Sequence, residues 1–168
     1  MESKMDIKER IEVVLELTSQ KIARLEKLLE FTILQGNSIK AGDIEGLSSQ
    51  IEKKQNIMNL INSLDAKFLE QYTLLKRELH IQSFEEIDAK VYPSAAALQK
   101  NVGHIMILLK KIEEVDRQNS SHLQQDLEKL KLEMKKNKAE QQGNKIAASY
   151  TRRYADVQGV FIDNKEQK

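Results

Sequence analysis

Apolar residues return at every third or fourth position along three long stretches of this chain, and only short interruptions break the rhythm. Such spacing lays one stripe along one side of an α-helix. In the first stretch, roughly residues 6–40, the stripe is Ile11, Val14, Thr18, Ile22, Leu25, Leu28 or Leu29, and Thr32. Glu9, Glu12, Glu16, Lys21, Arg24 and Lys27 occupy the other faces. A stripe this narrow on a helix this long suits the seam of a bundle or coiled coil. The second stretch runs from Ile44 to Leu79 through Leu47, Ile51, Met58, Ile61, Leu64, Phe68, Tyr72 and Leu75. Lys54 interrupts it and is expected to snorkel its ammonium to water. The third, roughly 95–140, carries Leu98, Val102, Ile105, Leu109, Ile112, Val115, Leu123, Leu127, Leu130 and Met134.

The interruptions say how the helices connect. Gly42 lacks a Cβ and so closes a helix in the left-handed conformation. Asp43 follows as an N-cap whose carboxylate accepts a backbone N–H from the next first turn. A link this short predicts an antiparallel hairpin about Gly42–Asp43. Further on, Ser83 and Glu86 have capping-box spacing, which opens a short helix ending before Pro93. Ser94 is then placed to cap the third helix. Gly103 is expected to let a neighbouring backbone come close. Asp116 and Asn119 stand where apolar seam residues belong, and polar seam residues fix register at some expense in stability. On that reading Asn119→Leu raises thermal stability and loosens the specificity of packing.

The expected fold is therefore all-α: an elongated antiparallel hairpin or bundle of three long helices with a short connecting helix. The bundle is assigned to residues 1–143 and a C-terminal amphipathic tail to 144–168. In that tail Ile146, Tyr150, Tyr154 and Val157 share one face of a helix, with Phe161 and Ile162 beyond Gly159. A segment of this length does not fold alone. Ile146, Tyr150, Arg153, Tyr154, Val157, Phe161 and Ile162 are the candidate partner-binding residues, and packing back onto the bundle is the alternative.

Charge is uneven. Residues 129–168 hold 10 basic and 5 acidic side chains, although the whole chain is only +1. A basic end attracts acidic partners, and on a helix the same lysines also complement the C-terminal dipole. Arg152–Arg153 between two tyrosines could pair phosphate contact with base stacking, but no nucleic-acid-binding motif accompanies it. Nucleic acid is therefore not an expected partner.

Chemistry is hard to place on these residues. The chain has no Cys, which excludes disulfides and thiolate metal sites. His80, His104 and His122 lack ligand spacing. The doublets Glu85–Glu86 and Glu113–Glu114 point in different directions on a helix. No glycine-rich phosphate loop follows a strand: Gly36, Gly42 and Gly46 sit around helix ends. Neither enzyme activity nor a cofactor or metal is expected. The longest aliphatic run, Ile105–Leu109, is far too short to span a bilayer, and the charged N-terminus precedes no apolar segment. A cytoplasmic protein without membrane insertion is expected.

Three stretches, "KAGDIEGLSSQIEKKQNIMNLI", "EEVDRQNSSHLQQDLEKLKLEM" and "SYTRRYADVQGVFIDNKEQK", resemble the bacterial flagellar export chaperone family FlgN. The resemblance extends over residues 10–164. Gly46 departs from it, since a better helix former is expected there, and leaves the first turn of the second helix less secure. The resemblance implies a small cytoplasmic chaperone of flagellar type III secretion. Its partners would be the hook–filament junction (hook-associated) proteins and the export apparatus. Two other readings stay open: a FliT-like secretion chaperone or adaptor, and a coiled-coil structural protein that self-associates, with a homodimer among its forms.

Overall fold

The structure, a computed structural model, describes residues 5–150, with side chains as far as residue 147. Its helices are α1 (Ile7–Ala41), α2 (Ile44–Leu79) and α3 (Ser94–Tyr150), with one 3-10 turn at Phe84–Glu86. The all-α reading holds, and the first two helices have the ends the sequence suggests to within about a residue. The chain divides into two compact units, Met1–Ser120 and Ser121–Lys168.

The hairpin turn is built as the sequence requires. Gly42 has φ 67° and ψ 24°, its N–H donates to Ile39 O, and the Asp43 N–H donates to Ser38 O. Those two bonds satisfy carbonyls that the end of α1 would otherwise leave open. Asp43 caps α2 by accepting the Gly46 N–H at 2.9 Å. Gly46 is no weakness there. A Cβ at this position would lie 2.2 Å from Asp43 Oδ2, so the bare glycine lets the cap close. The far end of α2 closes in the same way on a non-glycine, His80, at φ 55°.

In the first unit, cross-helix pairs fix directions. Arg10 meets Gln71 and Glu78, Lys21 meets Asp65, and Ser38 meets Gln50, so α1 and α2 are antiparallel. Asn101 reaches Thr18 and Ser19 while Asn119 reaches Thr32, so α3 runs parallel to α1. The core lies between the three helices in two clusters. One holds Ile11, Val14, Leu75, Ile87, Ala95 and Leu98. The other holds Leu25, Leu28, Ile57, Ile61, Ile105, Leu108 and Ile112. Phe68 and Phe84 border the first cluster, and the Tyr72 ring stacks on Phe84 at 4.0 Å.

The seams differ from expectation by a residue in places. On α2 the buried side chain is Ile57, while Met58, Ile51 and Ile44 are exposed. On α3 it is Leu108, while Leu109 is exposed. Neighbouring residues on a helix stand about 100° apart, so a third helix chooses between two flanks that periodicity alone leaves equal. Lys54 does not snorkel. Its side chain is 13% exposed and its Nζ bonds Gln35 Oε1 and Asp116 Oδ1, both at 2.9 Å. Gly103 meets no neighbouring backbone: nothing lies within 4 Å of a Cβ built there. Gly36 lies inside α1, buried, rather than at its end.

Candidate partner-binding surface

The third helix is the feature that asks for a partner. Through the first unit its stripe is Leu98, Ile105, Leu108 and Ile112, all buried. A polar layer follows. Asp116 holds Lys54, and Asn119, itself 5% exposed, donates its Nδ2 to Thr32 O at 2.9 Å. So Asp116 and Asn119 do face the seam, where they meet particular partners on α1 and α2. That polar layer puts the expected stability gain of Asn119→Leu in question, because the substitution deletes a buried hydrogen bond.

From Ser121 the helix continues for about eight more turns. Leu123 opens one side of the helix in this second unit. Leu127, Leu130 and Met134 hold that side at steps of four, three and four. Here the leucines are open to solvent: Leu123 is 41%, Leu127 45% and Leu130 52% exposed. Lys131, Lys135 and Lys138 border Leu127, Leu130 and Met134, forming a shallow depression with an apolar floor and a basic rim. Ala139 and Gln142 close its far end. The helix does not stop at the expected position near residue 140. It passes through Gly143, because a glycine in an exposed helix costs only about 1 kcal/mol relative to alanine.

Of the sequence-predicted tail residues, Ile146 lies on α3 and is exposed. Twelve residues separate it from Met134, which places it about 120° around the helix, on a different face. The Tyr150 side chain, Arg153, Tyr154, Val157, Phe161 and Ile162 lie outside the described residues. The exposed stripe at Leu123–Met134 was present in the sequence as the continuation of a seam. What the sequence could not tell was that this part of the seam stays open.

Among the described residues no three His, Asp or Glu side chains stand together in a way that could hold a metal ion. Among the described residues, two ionisable groups shift clearly. Glu86 is held below the usual carboxylate range by the backbone N–H groups of Gln82 and Ser83. Burial pushes Tyr72 up, against the Phe84 backbone N–H, which favours the phenolate. Neither touches the exposed stripe.

A protein-family model described as FlgN protein matches residues 5–152. The chain belongs to the FlgN family. FlgN proteins are flagellar export chaperones and not enzymes, and they bind other flagellar proteins. No curated protein and no solved structure gives a significant match. Among the described residues of this FlgN-family chain, no helix is long and apolar enough to cross a membrane.

Proposed function

We propose that this FlgN-family chain works in the cytoplasm and holds hook–filament junction subunits by accepting an amphipathic cargo helix along the open face of α3. The observation that carries this reading is the exposure of Leu123, Leu127 and Leu130 along one side of the second unit's helix, bordered by Lys131, Lys135 and Lys138. Covering a half-exposed leucine is worth about 1 kcal/mol, so a few such residues give useful yet reversible affinity. The lysine rim favours a cargo helix with acidic flanks. The candidate tail residues Ile146, Tyr150, Arg153, Tyr154, Val157, Phe161 and Ile162 are proposed as a second contact, for the same cargo or for the export gate.

Self-association is the competing reading, because a seam-spaced stripe also suits a second copy. Two copies would bring their lysine rims toward each other, which the charge disfavours. The test is hydrogen exchange on the full chain, alone and with the helical terminal segment of a junction subunit. The proposal expects new protection on α3 between residues 121 and 146. Protection that rises with chain concentration in the absence of cargo would favour the self-associating structural protein. Binding of a regulator without any junction subunit would favour the FliT-like adaptor.

A further inference from the structure

α2 carries a second stripe, turned away from the bundle core. Ile44, Ile51, Met58 and Leu69 are each at least 44% exposed. Ser48, Gln55, Asn62, Ala66 and Thr73 stand between and beyond them and are exposed as well. At about 100° per residue all these positions fall within an arc of about 80°, centred about 130° around the helix from the buried Ile57, Ile61 and Leu75. Their steps are of three and four, with Ile44, Ile51 and Met58 a heptad apart, which is the spacing of a helix–helix seam. None of them carries a charge, although 32% of the chain's residues do.

The stripe is complementary to itself when a second copy runs the other way. With a two-fold axis beside α2 between Met58 and Asn59, Ile44 faces Thr73, Ser48 faces Leu69 and Ile51 faces Ala66. Each large apolar side chain then meets a smaller one, so the two surfaces interdigitate. Gln55 faces Asn62, and each of these amides both donates and accepts. Gln55 Nε2 also donates to Asn59 Oδ1 along the helix at 3.0 Å, which holds its amide on this face. The same pairs repeat on the other side of the axis, as an isologous interface requires. A polar pair inside a seam fixes register and partner number. A parallel copy would instead set Ser48 against Ser48 and Ala66 against Ala66, leaving gaps beside the large residues. We propose that this face of α2 is a dimer interface, occupied by the antiparallel α2 of a second copy along residues 44–73. The interface uses residues of the first unit alone and does not depend on the export reading.

Sedimentation equilibrium of the full chain tests this. With only four large apolar side chains per copy, a reversible dimer is expected, with a Kd of about 1–100 μM. Ile51→Glu changes an exposed position and should weaken the dimer by about tenfold or more while circular dichroism stays helical. Ala66→Glu is the second variant if the first does not fold. Because the chain has no Cys, introduced cysteines report the pairing. Met58→Cys lies beside the axis and should link to its copy on mild oxidation. Ile44→Cys alone should not link, whereas Ile44→Cys/Thr73→Cys should. A chain that stays monomeric up to about 1 mM would overturn the proposal, as would a dimer that both folded variants leave intact. Linkage of Ile44→Cys alone would overturn it too, since that marks a parallel pair. Protection from hydrogen exchange that grows with chain concentration should fall on residues 44–73, whereas cargo docking is read on residues 121–146, so the two accounts fail separately.

Discussion

Asn119 on α3 sits against Gly36 on α1: a Cβ built on that glycine would lie 2.5 Å from Asn119 Oδ1, while the same amide donates to Thr32 O. The glycine and the asparagine therefore act as a pair. Gly36→Ala should destabilise the fold by about 1–3 kcal/mol despite the better helix propensity of alanine, because the buried amide must move. In an Asn119→Ala background the same substitution should be neutral or stabilising. Thermal melts of the four-member cycle give the coupling. Additive effects would mean that the contact does not constrain packing. Asn119→Leu, which deletes a buried hydrogen bond and places a branched side chain against Gly36, is expected to lower the melting temperature.

The glycines at 46 and 103 should behave in opposite ways. At Gly103 alanine meets open space, and the substitution should stabilise by about 1 kcal/mol. At Gly46 the gain from propensity is offset by eviction of the Asp43 carboxylate, whose cap is worth about 1 kcal/mol. Gly46→Ala should thus give little or no gain in the wild type and the full gain in Asp43→Ala. Chemical denaturation resolves differences of that size, and a full gain at Gly46 in the wild type would contradict the capping account.

These positions also show what one sequence can and cannot convey. Helical spacing, the Gly42–Asp43 turn and the Asp43 cap are local, so they were legible, and the ends of α1 and α2 follow from them. Choices between Ile57 and Met58, or Leu108 and Leu109, depend on where a third helix lies and are tertiary. The role of Gly46 was hidden because propensity is read one residue at a time, while its effect lies in the neighbouring carboxylate. Lys54 was misread for a similar reason, since its partners Gln35 and Asp116 come from two other helices. The candidate stripe from Leu123 to Met134 was legible as apolar, but not as open.

Acid should act through Glu86. Its pKa is lowered by the Gln82 and Ser83 N–H groups, so its stabilising effect is present above the unfolded-state value and is lost as pH falls through the folded-state value. Melting temperatures measured from neutral pH to below ~pH 4, the unperturbed glutamate range, should decline. Glu86→Gln should start lower at neutral pH and decline less. Parallel curves for the two proteins would show that the carboxylate does not stabilise the turn before α3.

The most direct measurement is the affinity of the double variant Leu127→Glu/Leu130→Glu for the helical terminal segment of a hook–filament junction subunit, by titration calorimetry. Both side chains are about half exposed, so melting temperature and helicity should change little. A cargo helix lying on this face would lose apolar burial and meet two unpaired carboxylates, and binding should weaken by about tenfold or more. Unchanged affinity in a folded variant would contradict the account, and the docking face would then have to be sought elsewhere on the chain.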